Sequence, residues 1–230
     1  MDLISGMFRA AALLGITVLV ASGDAGSTGE ADDHHAHVNY PASSPFVTAC
    51  GGTTLLESGG TNFREQLWNP SGGGISVNFP VPAWQSTTAV PVSVNDGHHG
   101  RGIPDIAGNA DPFNGYPLIQ DGQLTEPVGG TSAVPPLYAG LVAVMNARLK
   151  DRVGFLNPVL YELTAPGVLR DVTCCGDNST DSTPGYPVGV GWDATTGFGS
   201  INGRRLLAEL RRPGAAAIVP VITSLLLTAP

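Results

Sequence analysis

The sequence predicts an α/β fold, a mostly parallel sheet flanked by helices, on three observations. Ile16–Ala21 is an unbroken apolar and β-branched run, the composition of a strand buried on both faces in a parallel sheet. A helical pattern over Phe8–Leu14 stops at Gly15 and leads straight into that run, so helix, short turn and strand form half of an α/β unit. Ala133–Leu149 carries Val134, Leu137, Tyr138, Leu141, Val142 and Met145 at a spacing of about 3.6 residues, the pattern of a buried helix.

The remaining elements follow in order. Met1–Gly15 has no basic leader region and no small-residue cleavage site, so it reads as part of the fold and not as a secretory signal. Ser22–Tyr40 is polar and rich in Gly, Asp and His, hence a loop, and Phe46–Cys50 before Gly51 and Gly52 reads as a second strand. Gly72–Gly74 and the prolines between Pro80 and Pro91 mark a long irregular connection. Pro104–Ala107 is a short strand, Asp111-Pro112 a turn, and Tyr116–Pro127 a hairpin around Asp121-Gly122. Pro135 and Pro136 fall in the first turn of the 133–149 helix, where a missing N–H costs little. A short helix over Pro158–Leu163, a loop region over Asp171–Asp193 and a last helix over Gly203–Leu210 complete the body. Ala215–Leu227 is apolar, but it falls short of the roughly 20 residues a spanning helix needs, and Pro220 interrupts it. Residues 214–230 are therefore expected to form an apolar tail, packed or disordered, that does not enter a membrane.

Composition narrows the function. Charged residues make up 13% of the chain and apolar ones 42%, with 31 glycines and 19 prolines, which suits a loop-rich globule of 230 residues and one domain. A net charge of −8 and a pI near 4.9 argue against nucleic acid or an anionic membrane as partner. Cys50 and the adjacent pair Cys174 and Cys175 form neither a C-x-x-C motif nor an even disulfide set.

Two stretches carry candidate chemistry. In Gly129-Gly-Thr-Ser132 one serine stands at the entry of the predicted 133–149 helix, its hydroxyl exposed near helix N–H groups that can stabilise an oxyanion. The plain alternative is an N-cap serine. Two glycines, Thr131 and two prolines around Ser132 tilt the reading towards a nucleophile. Asp24 ends Ala21-Ser-Gly-Asp24 just past the first strand, where α/β sheets place ligands, although a lone aspartate there also makes an Asx turn.

Taken together, several stretches resemble the sedolisin serine-carboxyl peptidases, in particular their kumamolisin-like members. They are Ala21-Ser-Gly-Asp24, Ser43–Thr53, Gly100–Asp111, Gly129-Gly-Thr-Ser-Ala-Val134, Gly154-Phe-Leu-Asn-Pro158 and Gly191-Trp-Asp193, and they keep the family's order from about Gly15 to Leu210. The resemblance implies a subtilisin-like fold, with residues 1–213 as the C-terminal part of a catalytic domain. It also implies hydrolysis of peptide bonds in acid, with Ser132 as nucleophile and Asp24 in the oxyanion hole. Acid chemistry itself favours such a set: a histidine with a reference pKa near 6.5 is protonated below about pH 5, whereas a glutamate near 4.3 still accepts a proton. A carboxyl in an oxyanion hole donates only while protonated, so the mechanism fades towards neutrality.

The family's Glu and Asp base pair comes from a helix upstream of the Ser-Gly-Asp stretch and has no counterpart among these residues, so the chain alone is expected to be inactive. Glu30, Glu57 and Glu65 match other parts of the family. The implied partners are a peptide or protein substrate and an N-terminal segment or propeptide, with an extracellular location and neither nucleic acid nor membrane. One Ca2+ ion is implied at the Asp171 and Asp193 side chains and the carbonyls of Val172, Gly189 and Gly191; oxygen ligands on glycine-rich loops suit calcium, and ordinary turns are the alternative. The competing class is a non-catalytic fragment or a calcium-binding interaction module of the same fold.

The remaining motifs read as structural. His34, His35, His37, His98 and His99 lie in polar loops and fit neither a Ser-His-Asp base nor a zinc site. Asn178-Ser-Thr180 matches a glycosylation triplet by a pattern that chance often produces, and Trp68, Trp84 and Trp192 read as packing residues.

Overall fold

A computed structural model describes residues 2–57, 63–163 and 165–212, and the tail expected over 214–230 lies outside them. Helix α1 (Asp2–Leu13) ends at Gly15, whose φ of 69° and the bond from Ile16 N to Ala11 O turn the chain into β1 (Leu19–Ala21). Phe8 and Ala12 on α1 pack against Phe46, Phe155 and Val159.

Strand β2 (Thr48–Glu57) is the spine of the sheet. Its first residues pair in parallel with β1, Leu19 opposite Thr48 and Ala21 opposite Cys50. Its far half pairs antiparallel with β3 (Phe63–Leu67), Thr53 opposite Leu67. The short β4 (Gly74–Ile75) and β5 (Gly102–Ile103) form an antiparallel pair of their own. Strand β6 (Ile106–Asn109) then joins β2 in parallel, Cys50 opposite Ile106 and Thr53 opposite Asn109.

The sequence reading stopped the second strand at the Gly51-Gly52 pair, and the structure carries it on to Glu57. Those glycines are there for close packing. A Cβ on Gly51 would stand 2.6 Å from Pro104, and one on Gly52 2.8 Å from Ala110 and Trp68. Strand β1 is also shorter than its apolar run and half-buried rather than enclosed. Among the described strands it pairs with β2 alone.

The hairpin β7 (Ile119–Gln120) and β8 (Gln123–Leu124) turns at Asp121-Gly122 as expected. Helix α2 (Val134–Leu149) lies on the sheet and buries Val134, Tyr138, Val142 and Met145. The Tyr138 hydroxyl donates to Ala107 O on β6 at 2.5 Å. Leu137 departs from the expected buried set and is 49% exposed on the outer side of α2. Helix α3 (Asn157–Glu162), the pair β9 (Leu169–Arg170) and β10 (Ser200–Ile201), and helix α4 (Gly203–Leu210) close the body.

A buried ion pair ties these layers together. Arg101 and Asp105 are both fully buried, and the guanidinium forks onto the carboxylate at 3.0 and 2.8 Å. Asp105 also accepts from Ala49 N of β2 at 2.7 Å, Asn157 Nδ2 of α3 at 3.2 Å and the Tyr161 hydroxyl of α3 at 2.8 Å. Arg101 gives its remaining donors to Ser44 O, Val47 O and Gly102 O and stacks 4.8 Å over Trp84. Every polar atom is thus satisfied, which is the condition under which a buried charge is tolerated. Replacing Asp105 with Ala strands the Arg101 charge and should cost about 3–5 kcal/mol in urea denaturation, whereas Tyr161→Phe, which removes one donor, should cost about 1 kcal/mol.

Candidate active site

Past the end of β1 the chain enters a loop whose carboxylate, Asp24, reaches residues far along the sequence. Its Oδ1 accepts two hydrogen bonds from Thr131, one from the backbone N–H at 2.7 Å and one from the hydroxyl at 2.6 Å. The Thr131 hydroxyl in turn accepts from Gly23 N at 3.1 Å. Thr131 is fully buried, so this clamp is shielded on one side while Asp24 itself faces solvent.

The next residue is Ser132. It is exposed and lies in the short 3₁₀ turn Thr131–Ala133 that runs directly into α2. Gly130 sets up the turn with φ 86°, a value side chains rarely adopt, and its N–H donates to Ala110 O at 2.6 Å. A Cβ on Gly130 would begin 2.7 Å from Asp24 Oδ2, and one on Gly129 would begin 2.4 Å from Ala110 O. Thr131 N–H is taken by Asp24, Ala133 N–H by Gly130 O and Val134 N–H by Thr131 O, while Pro135 and Pro136 have none. The oxyanion donors expected of the helix start therefore reduce to the Ser132 N–H, which has no partner among the described residues. The Ser132 hydroxyl likewise has no partner among them, so it caps nothing.

The structure thus brings together two of the sequence-derived site residues, Asp24 and the segment of Ser132, through Thr131, which the sequence reading counted as part of the serine's setting but gave no role of its own. The signal for Thr131 was its place beside the serine between glycines, but its partner lies 107 positions away.

The second group of residues is also gathered in one place. Asp171 Oδ2 accepts from Gly191 N at 2.7 Å, and Asp193 Oδ2 accepts from Gly189 N at 3.1 Å. Asp193 Oδ1 is occupied by the N–H and hydroxyl groups of Thr195 and Thr196, at 2.6 to 3.1 Å. Asp171 Oδ1, by contrast, is buried without a partner. The carbonyls of Val172, Gly189 and Gly191 accept no hydrogen bond among the described residues. Burial holds the Asp171 carboxyl above its ordinary value, with the nearby Asp193 charge adding to the effect. Since the folded chain keeps this proton longer than the unfolded one, the contribution favours folding in acid and is lost as pH rises through the raised value.

Chain comparison gives the wider setting. No protein-family model matches the chain. Kumamolisin of Bacillus sp. (strain MN-32) is 49% identical over 220 residues, which span 93% of this chain and 39% of kumamolisin. Sedolisin of Pseudomonas sp. (strain 101) is 36% identical over 226 residues, 90% of this chain and 37% of that protein. The solved Pseudomonas sedolisin, a serine-carboxyl proteinase complexed with two molecules of pseudo-iodotyrostatin, superposes with a TM-score of 0.78 at 33% identity over 90% of this chain and 59% of that one. The chain belongs to the sedolisin family.

Human tripeptidyl-peptidase 1 is another relative, 35% identical over 221 residues, 88% of this chain and 38% of the peptidase. The sedolisin-family chain thus spans about two fifths of the length of the curated relatives it matches. Sphericase superposes with a TM-score of 0.50 at 17% identity, over 87% of this chain and 52% of that one, a likeness of fold alone. The subtilisin-like fold with a mostly parallel sheet stands as expected.

Other sequence motifs resolve into structure. The glycosylation triplet is closed to modification, because Asn178 is fully buried and its side chain bonds Gly73 O and Tyr186 N. His35 and His37 bond Asp33, and His98 bonds Asp96, all at the surface. Trp84 stacks on Arg101 and meets Tyr161 edge-on, and Trp192 donates to Pro104 O, both as packing residues.

Thr131→Val keeps the shape of the side chain and removes the hydroxyl that links Gly23 to Asp24. It should cost about 1–3 kcal/mol in chemical denaturation, and Thr131→Ser should restore most of that.

Proposed function

We propose that this chain carries the nucleophile and oxyanion-hole part of an acid-acting serine-carboxyl endopeptidase site. The observation that supports it is the double hydrogen bond from Thr131 to Asp24 Oδ1, which holds a carboxyl one residue away from an exposed, uncapped serine. In this reading Ser132 Oγ attacks the peptide carbonyl and its proton passes to a carboxylate outside the described residues. The oxyanion then accepts from the Ser132 N–H and from Asp24. With Oδ1 already accepting twice, Oδ2 is the oxygen left to donate, which a carboxyl does only while protonated. The family resemblance adds an extracellular setting and a peptide or protein substrate.

The residues around Asp171 and Asp193 fit one Ca2+ ion. The orphaned Asp171 Oδ1 and the unpaired carbonyls of Val172, Gly189 and Gly191 are the oxygen donors such an ion takes, with Asp193 alongside. When bound, it supplies charge compensation and stiffens the loops, with no part in the chemistry at Ser132.

A second reading, a calcium-binding interaction module without catalysis, draws support from the absence of any proton acceptor on the Ser132 hydroxyl among the described residues. A peptide aldehyde separates the two, because its carbonyl adds to a serine hydroxyl and leaves an oxyanion to be held. The active-site reading expects adduct formation in acid, lost in Ser132→Ala and made independent of pH in Asp24→Asn, whose amide donates at any pH. Absence of a Ser132-dependent adduct at every pH supports the module instead. The same chain should hydrolyse no peptide at about pH 3–5 in this reading, since the base is not among its described residues; turnover abolished by Ser132→Ala would show that another carboxylate serves.

Calcium at a hundred times its dissociation constant should stabilise the chain by about 2.7 kcal/mol, seen as a rise in melting temperature over chelator-treated protein. Asp171→Asn should remove that gain and flatten the acid-favoured stability that the buried carboxyl gives the metal-free chain.

A further inference from the structure

Phe113 is 97% exposed, more than any other large apolar side chain among the described residues. The turn that carries it, Pro112–Asn114, is nonetheless fixed. Asp111 Oδ1 accepts from Phe113 N at 3.0 Å, and its Oδ2 accepts from the Thr54 hydroxyl at 2.8 Å. Asn114 donates its side-chain amide to Leu55 O and receives Asn109 Nδ2 on its carbonyl at 2.9 Å. The backbone is thus anchored to β2 and β6 while the ring is held in water.

The hairpin that follows repeats the pattern. Tyr116 and Val128 exchange backbone hydrogen bonds at 2.8 and 3.0 Å, and the Tyr116 hydroxyl donates to Asn109 O at 3.0 Å. Thr125 donates its N–H to Leu118 O at 2.8 Å, and its hydroxyl accepts from Leu118 N at 3.3 Å. Beyond them Ile119 and Leu124 stand directly opposite each other, 78% and 74% exposed. Opposed side chains share one face of a ribbon, so the two make a single apolar knob. Leu118 and Val128 are exposed as well.

Turn and hairpin both adjoin the corner of Ser132. A Cβ on Gly115 would begin 2.1 Å from Val128 O, and one on Gly129 would begin 2.8 Å from Pro112 Cα, so the two pieces and the segment leading into the serine lie backbone to backbone. Residues 110–130 include Asp111, Asp121 and Glu126 but no Lys, Arg or His, and Asp121 and Glu126 are exposed. Clustered apolar surface with a polar border marks an interaction site, and a patch already fixed in place loses little freedom when it binds. The carboxylates favour a basic partner over an acidic one.

We propose that Phe113, Leu118, Ile119, Leu124 and Val128 form a docking strip for an extended, apolar and basic polypeptide. That this polypeptide is the substrate rests on Ser132 being the nucleophile; the strip itself does not. Leu124 lies four residues from Val128 along the hairpin, about 13 Å at 3.3 Å per residue, so a peptide reaching from Ser132 to the knob commits about four or more of its own residues. The strip therefore selects residues several positions from the scissile bond.

The test titrates the full chain at neutral pH with three fluorescein-labelled peptides of about twelve residues, long enough when extended to cross the strip, and reads anisotropy. One alternates leucine and lysine, one leucine and glutamate, and one serine and lysine. The leucine-lysine peptide should bind, and the other two should bind about tenfold more weakly. Phe113→Ser, and Ile119→Ser combined with Leu124→Ser, should each weaken the leucine-lysine peptide about tenfold. Leu3→Ser, which removes an exposed apolar side chain on α1, should leave it unchanged. Asp121→Asn with Glu126→Gln should narrow the gap between the leucine-glutamate and leucine-lysine peptides. Equal binding of all three peptides, binding of none, or a loss in Leu3→Ser matching that in Phe113→Ser would each overturn the proposal. The peptide-aldehyde adduct reports separately on the nucleophile: an adduct in a chain that fails with the peptides removes the strip alone, and peptide binding without an adduct removes the nucleophile alone. Circular dichroism on every variant guards against reading unfolding as lost binding.

Discussion

The buried pair of Arg101 and Asp105 is the constraint on which the rest of this structure depends. One carboxylate receives the backbone of β2, the guanidinium that leads into β5, and two side chains of α3. Such a group is stable only if every donor arrives at once, because an unpaired charge in this setting is far more costly than a lost contact. The network therefore sets the register of β2 against β6 and the seat of α3 together. Tyr161 and Trp84 complete it by packing against each other and against Phe198 and Phe155.

From that fixed sheet the site follows by short steps. Strand β1 is registered on β2, so the loop after Ala21 leaves at a set point and carries Asp24 with it. Strand β6 is registered on the other side of β2, and Ala110 at its end receives the Gly130 N–H that starts the turn into α2. Two loops that meet nowhere in the sequence are thus delivered to the same corner by one strand between them. Thr131 joins them, with its N–H and hydroxyl on one oxygen of Asp24. The opposite oxygen and the Ser132 hydroxyl have no hydrogen-bond partner among the described residues.

Much of this was legible in the residues, and what was missed has physical causes. Helix α2 and helix α4 were readable because their apolar spacing and their glycine or proline boundaries are local properties. Strand β2 was cut short because glycine pairs usually signal turns, while here they make room for Pro104, Ala110 and Trp68, neighbours that no local rule reveals. The antiparallel partner β3 was missed for the same reason. Ser132 and Asp24 were named from flanking residues and family order, but the hydrogen bonds that join their segments depend on Thr131, whose importance is visible only once the chain is folded. Asn178 matched a surface motif and proved to be a buried strut, since a sequence triplet says nothing about which way the amide faces.

The glycine at 130 has a wider consequence. Its missing side chain is the space that Asp24 Oδ2 occupies, and its backbone angle is one that other residues resist. Drift at this position meets a carboxylate fixed by two hydrogen bonds, not a pliable neighbour that could step aside. A side chain at 130 therefore has to bear a left-handed backbone and displace the Asp24 carboxyl at once, so the fold itself resists the change before any chemistry at the serine is considered.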